Sequence, residues 1–101
     1  MKIDLSYKNE TAHIEIEGAV TSENISLFEE KLTEILDTES KFLELDLSLC
    51  RNISSSGIGK LLIFYKEFLK RNGEMEVVKS SETLYDLFTT IKLDQLFTVN
   101  L

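Results

Sequence analysis

The sequence contains no proline, one cysteine and one histidine. The single cysteine, Cys50, excludes an internal disulfide and indicates a reducing compartment. With His13 as the only histidine and no second thiol, we expect no metal site. Cys50 is then most simply a buried packing residue, because a free cysteine behaves as a small hydrophobe. The absence of proline fits a compact folded unit.

Long apolar runs and an excess of basic residues are also missing. No apolar run approaches the roughly 20 residues that a membrane-spanning helix needs, and the first residues are typical of a strand rather than of a signal peptide. We therefore expect a cytoplasmic protein without membrane insertion. The 11 lysines and arginines stand against 18 acidic residues, which gives a net charge of -7. This balance argues against nucleic acid as a direct partner and is compatible with a protein partner.

The length of 101 residues predicts a single domain, residues 1–101, with one modest core. Met1–Tyr7 and Thr11–Glu17 both alternate apolar and polar side chains, and a polar turn joins them. This pattern is typical of a hairpin with one buried and one wet face. His13 falls on the wet face beside two glutamates, so an exposed structural role is favoured over a catalytic one.

The first predicted helix starts after Gly18, which ends the second strand. Thr21 or Ser22 can cap this helix, and Glu23 then lies in its first turn, where a negative charge is favourable. Apolar side chains at helical spacing predict one buried stripe, made of Ile25, Phe28, Leu32, Ile35 and Leu36.

The second predicted helix is more apolar than one buried face requires. It runs to about Asn72, and Gly73 is its expected C-terminal stop. Its predicted stripe consists of Ile58, Leu61, Leu62, Tyr65 and Leu69, and the further apolar side chains are Ile63, Phe64 and Phe68. Two explanations stay open: a central helix flanked by two others, or an exposed patch for a partner.

The remaining elements complete the order ββαβαβαβ. A central strand starts at Phe42, Glu74–Val78 is a short strand, Ser81 caps a third helix, and Leu96–Val99 is a last short strand. Right-handed crossovers that step in one direction place every helix on the same side of a sheet. The predicted fold class is therefore α/β, a mixed sheet with its helices packed on one face.

The stretch from Phe42 to Leu62 joins a strand to a helix through a cluster of hydroxyls. We expect the strand to end near Leu47 or Leu49 and the helix to begin between Ser54 and Gly57. A serine hydroxyl can cap this helix, and the backbone N–H groups behind it carry partial positive charge. A phosphate added there would meet free donors and a favourable dipole. Open sheets usually place their sites at this end of a middle strand.

Catalytic and nucleotide-binding explanations of the serine cluster are disfavoured. A phosphate-binding loop would need a glycine at Ser54 and a hydroxyl at Leu61. A serine nucleophile needs a base, and the only histidine lies on a wet strand face. The protein is therefore predicted not to be an enzyme and to need no cofactor. The serines are either an unmodified cap and turn, which the residues alone favour, or a site that another enzyme modifies.

At these residues the chain resembles the STAS domain, the fold of the bacterial anti-sigma factor antagonists. The resemblance covers nearly the whole chain. It is carried by five short segments: Ile16-Glu17-Gly18, Leu45-Asp46-Leu47-Ser48, Ile53 to Gly59, Lys70-Arg71-Asn72-Gly73-Glu74 and Leu93-Asp94-Gln95-Leu96-Phe97.

The resemblance implies a phosphorylation switch. In the family, an anti-sigma factor serine kinase phosphorylates a serine that matches Ser55. The unphosphorylated form binds the anti-sigma factor and so releases a sigma factor, and a serine phosphatase resets the system. The partner-binding residues implied here are Thr21, Ser22, Ser54, Ser56, Gly57 and Ile58.

Two positions depart from the family's pattern. The aspartate of the family motif is replaced by Ser54, and an acidic residue usual after the second strand is replaced by Thr21. These losses leave a second function open, since some STAS domains are constitutive subunits of a larger complex. Examples are an accessory subunit of a lipid-transport ATPase and a component of a stress-sensing assembly, neither of which needs phosphorylation.

Overall fold

The computed structural model describes all residues from Met1 to Leu101 and contains five strands and three α-helices. A short 3₁₀ turn at Leu93–Gln95 precedes the last strand. The predicted order ββαβαβαβ is confirmed. In chain order the elements are β1 (Lys2–Lys8), β2 (Thr11–Val20), α1 (Ile25–Leu36), β3 (Phe42–Ile53), α2 (Ser55–Leu69), β4 (Glu74–Ser80), α3 (Glu82–Thr90) and β5 (Thr98–Val99).

The strands form one mixed sheet in the order β1-β2-β3-β4-β5. β1 is antiparallel to β2, and every other neighbouring pair is parallel. Ile14 lies opposite Leu45, which lies opposite Val77, and all three side chains are at most 1% exposed. These residues alternate with half-exposed polar ones, so one sheet face is buried under the helices and the other is open. The predicted fold class is confirmed.

Helix α1 buries the predicted stripe at Phe28, Leu32 and Ile35. For α2 the predicted stripe is wrong at one edge, because Leu69 is 49% exposed whereas Phe68 is fully buried. The larger aromatic side chains take the inward positions, and the rings of Phe64 and Phe68 stack with centroids 5.0 Å apart. Burying the larger apolar area is favoured where two stripes of similar spacing compete. No helix combines the length and hydropathy that crossing a bilayer requires.

The predicted cap of α1 at Thr21 or Ser22 is wrong. The helix begins at Ile25, and Asn24 is its N-cap residue. The Asn24 side chain accepts a hydrogen bond from the Thr21 N–H at 2.8 Å and donates one to the Ala19 carbonyl at 2.9 Å. These bonds close a tight turn between β2 and α1, so Thr21 and Ser22 belong to that turn and remain exposed.

The C-terminal end of α2 also differs from the prediction. The helix ends at Leu69, and the left-handed backbone after it belongs to Asn72, with φ of 61°, rather than to Gly73. Asparagine tolerates this conformation better than most residues. Glycine is needed at position 73 for space, because a Cβ atom there would lie 2.5 Å from Cδ2 of Phe68.

Strand β3 extends to Ile53, beyond the predicted end near Leu47 or Leu49. Its pairing with β2 continues through Gly18 opposite Cys50 and Val20 opposite Ile53, with two register shifts that mark bulges. A bulge interrupts the alternation of apolar and polar residues, so the part of a strand beyond a bulge resembles a loop in the sequence. The alternation therefore placed the end of β3 too early. The longer strand leaves one residue between the sheet and α2.

The Cys50 side chain is fully buried, as its predicted packing role requires, and its thiol donates to the Asn52 carbonyl at 3.3 Å. Burial raises the pKa of this thiol above its ordinary value, although backbone hydrogen bonds and Arg51 oppose the shift. The thiolate is the reactive form, so we expect Cys50 of the native protein to react with a thiol reagent far more slowly than in denaturant. Colorimetric titration with and without urea measures both rates, and rapid stoichiometric reaction of the native protein would contradict burial.

Candidate functional site

The junction between β3 and α2 consists of a single residue, Ser54. Its N–H donates to the Val20 carbonyl at 2.8 Å, which ties the junction to the end of β2. Its hydroxyl accepts a hydrogen bond from the Gly57 N–H at 3.1 Å, so Ser54 is the N-cap of α2. Serine is among the best N-cap residues because its short side chain reaches a backbone donor of the first turn. The predicted start of the helix and its serine cap are confirmed.

Ser55 and Ser56 are exposed in the first turn of α2. The Ser56 hydroxyl lies 3.1 Å from the Ser54 hydroxyl, whereas the Ser55 hydroxyl forms no hydrogen bond within the protein. The N–H groups of these first two helical residues have no intrahelical acceptor, and they lie at the positive end of the helix dipole. The Ser55 hydroxyl is therefore accessible and lies where an added negative charge is favoured.

The start of α2 is held close to the sheet by a glycine. Gly57 is buried, and a Cβ atom there would lie 2.8 Å from Cγ1 of Ile53 and 3.0 Å from Cγ1 of Val20. Ile58, the next residue, is half-buried against the core. Gly59 differs, because a Cβ atom on it would meet nothing within 4 Å. Close approach thus requires glycine at position 57 but not at position 59.

The two glycines offer a matched pair of alanine substitutions. Gly57→Ala should lower the free energy of unfolding, because overpacking costs about 1–3 kcal/mol and exceeds the helix-propensity gain of about 1 kcal/mol. Gly59→Ala should raise it by about 0.5–1 kcal/mol, because only the propensity gain applies. Urea unfolding of both variants measures the difference. Equal effects of the same sign would show that α2 does not approach the sheet at Gly57.

The turn at Thr21 and Ser22 lies at the same sheet edge as the serine cluster. It follows Val20 directly, and Val20 is hydrogen-bonded to Ser54. The structure therefore brings together every residue named for this site from the sequence, namely Thr21, Ser22, Ser54, Ser55, Ser56, Gly57 and Ile58. Beside them, Lys60 of α2 forms an ion pair with Glu29 of α1 at 2.7 Å, so this lysine charge is already matched.

The shape of this edge suits a protein partner better than a small molecule. A groove of about 590 Å³ lies at the opposite end of the sheet, where Phe42, Leu69 and Leu96 are among its lining residues. None of the three serines lines it. Three other grooves of about 390, 430 and 310 Å³ do not include the serines either, and ligand sites for small molecules are concave.

The structure places His13 far from the serines. His13 pairs with Glu44 near the start of β3, and its Nδ1 lies 3.3 Å from the Glu44 carboxylate. The rise of a strand from Glu44 to Ile53 amounts to roughly 30 Å. No imidazole is therefore within reach of a serine hydroxyl to act as its base.

Sequence reasoning missed a second cluster on the open sheet face. His13, Glu15 and Asp46 carry ligand-type atoms that all lie within 4.8 Å of one another. Partial burial raises the pKa of Asp46, but hydrogen bonds from Ser48 and the nearby Lys79 and His13 outweigh it, so the net pKa is lowered. The signal that could have revealed this cluster is the parallel pairing of the two alternating segments, β2 and β3, which places Glu15 opposite Asp46.

Comparison with known proteins identifies the fold. A family model described as the STAS domain matches residues 2–101. An anti-sigma factor antagonist from Mycobacterium paratuberculosis is 17% identical and has a TM-score of 0.86, and the match covers 98% of this chain and 84% of that one. The anti-sigma factor antagonist SpoIIAA in its unphosphorylated form is 18% identical with a TM-score of 0.83, over 99% of this chain and 89% of that one.

A phosphorylated relative has the same architecture. The Bacillus cell fate determinant SpoIIAA in its phosphorylated form is 17% identical and has a TM-score of 0.77, over 99% of this chain and 92% of that one. The family match extends over nearly the whole chain, and the three structural likenesses show that the fold is shared.

Proposed function

Because this chain belongs to the STAS domain family, we propose that it is an anti-sigma factor antagonist switched by phosphorylation of Ser55. In its unphosphorylated form it binds an anti-sigma factor serine kinase and so releases a sigma factor. The kinase transfers the γ-phosphoryl group of ATP to the Ser55 hydroxyl oxygen, releasing ADP and a proton. A serine phosphatase removes the phosphate, and the cycle takes place in the bacterial cytoplasm.

One observation carries this proposal: the Ser55 hydroxyl is exposed, free of hydrogen bonds, and located at the first position of α2. A kinase can reach it without unfolding any element. After transfer, the phosphate meets the unpaired N–H groups of Ser55 and Ser56 and the positive end of the helix dipole. Phosphorylation thus requires little rearrangement of the domain itself.

The proposed partner surface combines three neighbouring parts of the molecule. They are the Thr21–Ser22 turn, the Ser54–Ile58 turn and the outward side of α2. Ile63 lies on that outward side and, at 62% exposed, is the most exposed apolar residue of α2. The extra apolar residues of α2 therefore have different roles. Phe64 and Phe68 belong to the core, whereas Ile63 is available to a partner.

Ser54 changes the electrostatics of the switch relative to the family motif. Serine caps α2 as well as aspartate would, but it contributes no charge beside Ser55. The phosphorylated form therefore has less repulsion to overcome than it would beside a carboxylate. A kinase that requires the aspartate for recognition should act better on Ser54→Asp.

The test is phosphorylation of the purified protein by an anti-sigma factor kinase encoded in the same genome, with the phosphate mapped by mass spectrometry. We expect one phosphate, on Ser55 of the wild type and of Ser56→Ala, and none on Ser55→Ala. Ser54→Asp serves as the matched variant that restores the family motif without loss of the cap. Absence of phosphate from every serine of the cluster, in the wild type and in Ser54→Asp alike, would overturn the switch.

The second candidate function is that of a constitutive subunit in a larger complex, such as a lipid-transport ATPase or a stress-sensing assembly. The observation that favours it is that Ser54, next to Ser55, and Thr21, in the turn after β2, stand where the family pattern has acidic side chains. In that case a partner should co-purify with the protein, and Ser55→Asp should bind it as tightly as the wild type does.

A further inference from the structure

On the open face of the sheet, several carboxylates lie opposite one another on neighbouring strands. Glu15 of β2 lies opposite Asp46 of β3 on one side and opposite Asp4 of β1 on the other. Glu44 of β3 likewise lies opposite Glu76 of β4. Like charges directly opposite one another destabilise a sheet, and Lys79, which lies opposite Asp46, offsets only part of this negative charge.

Three of the residues on this face converge. The ligand-type atoms of His13, Glu15 and Asp46 lie within 4.8 Å of one another, and all three side chains are half-buried. Ligand atoms around a tetrahedral Zn²⁺ ion lie about 3.4 Å apart, given metal–ligand distances of about 2.0–2.2 Å. Changes of side-chain torsion that move these ligand atoms by about 1 Å would therefore close the site without movement of the strands.

Two of these side chains are already oriented by hydrogen bonds. Nδ1 of His13 is 3.3 Å from Oε1 of Glu44, which leaves Nε2 as the nitrogen available to a metal ion. Oδ1 of Asp46 accepts hydrogen bonds from the Ser48 N–H at 3.0 Å and from the Ser48 hydroxyl at 2.6 Å, which leaves Oδ2 free. Metal-ligating histidines and carboxylates usually have such outer partners, a carboxylate beside the imidazole above all.

We propose that His13, Glu15 and Asp46 form a binding site for a divalent transition-metal cation, with Zn²⁺ as the best fit and water completing its coordination. An imidazole together with two carboxylates suits Zn²⁺, whereas Mg²⁺ and Ca²⁺ prefer sites made only of oxygen. The ion would neutralise the facing pair Glu15 and Asp46. This site lies on the open sheet face, away from the serine cluster, so it does not depend on the proposed function.

Calorimetric titration of the untagged protein with ZnCl₂ tests this site. We expect one Zn²⁺ ion per chain and much weaker heat with MgCl₂ or CaCl₂. His13→Gln and Asp46→Asn should each weaken Zn²⁺ binding by at least about tenfold, and Glu44→Gln, which removes the outer partner, by about tenfold. Lys79→Met should strengthen binding, because Lys79 lies opposite Asp46 and its charge competes with the ion.

Glu82→Gln is the matched control, because it removes the same charge as Asp46→Asn from an exposed residue at the start of α3. It should leave Zn²⁺ affinity unchanged, and circular dichroism should show that every variant folds. Histidine resonances in NMR spectra report directly whether the His13 imidazole contacts the ion. Failure to bind Zn²⁺ at concentrations up to about 1 mM would overturn the site, because the binding free energy would then be weaker than about 4 kcal/mol. So would equal losses for Asp46→Asn and Glu82→Gln, or unshifted His13 resonances on saturation.

Discussion

Replacing Ser55 with aspartate should weaken binding to the anti-sigma factor kinase by at least about thirtyfold, which corresponds to about 2 kcal/mol. Ser55→Ala should bind as tightly as the wild type. The difference arises because an aspartate brought to the proposed interface loses its hydration and finds no partner there, whereas alanine carries no charge to desolvate. The true phosphate carries more charge than aspartate, so phosphorylation itself should weaken binding further.

The stability of the domain should not decrease along with the loss of binding. Ser55 is exposed at the start of α2, where an acidic side chain interacts favourably with the helix dipole. The thermal midpoint of Ser55→Asp should therefore equal that of the wild type or exceed it slightly. A variant that keeps its melting temperature but loses its partner separates the binding surface from the folded core.

Isothermal titration of the kinase with each variant measures the affinity, and Ser6→Asp is the matched control. Ser6 is an exposed serine of β1 on the open sheet face, so the same chemical change there should leave binding unaltered. If Ser55→Asp bound as tightly as Ser6→Asp, the serine cluster would lie outside the interface. The constitutive-subunit function would then replace the switch.

Replacing Arg71 with alanine should cost about 3 kcal/mol or more of the free energy of unfolding, because hydrogen bonds from charged donors are worth about 1.5–3 kcal/mol each and are not fully additive. The Arg71 guanidinium lies over the Phe68 ring, with its central carbon 5.0 Å from the ring centroid. It donates to four backbone carbonyls, of Ile35 at 3.1 Å, Leu36 at 3.0 Å, Thr38 at 2.8 Å and Ser40 at 2.9 Å.

These contacts join the end of α2 to the end of α1 and to the loop that follows it. The last carbonyls of a helix have no intrahelical donor, so a cation that binds them satisfies groups which would otherwise need water. Arg71→Lys should recover only part of the lost stability, because one ammonium group cannot reach four carbonyls in the fixed plane that a guanidinium provides.

Urea unfolding followed by circular dichroism measures these losses, with an unchanged slope expected if only stability is affected. Lys70→Ala is the neighbouring control, because Lys70 is exposed and forms only a surface ion pair with Glu67 at 3.1 Å. Its loss should change stability little. If Arg71→Ala unfolded at the same urea concentration as Lys70→Ala, the four carbonyls would have to be satisfied equally well by water.

The sequence by itself determined the element order, the fold class and the start of α2. Each of these depends on local patterns: alternation in the strands, helical spacing in the helices, and the ability of Ser54 to cap the turn that follows it. The segments that form the site also follow from the element order, since parallel strands bring their carboxyl ends to one edge. The element order alone therefore groups Thr21 and Ser22 with the serines.

Tertiary structure alone decided which face of α2 is buried, where β3 ends and what Arg71 binds. Helical spacing is compatible with burial of either Phe68 or Leu69. Only packing against the rest of the fold buries Phe68 and exposes Leu69. The approach of Asp46 to His13 depends on the register between β2 and β3, which a single strand does not encode. Arg71 reaches carbonyls more than thirty residues away in the chain, and such contacts exist only once the elements have packed.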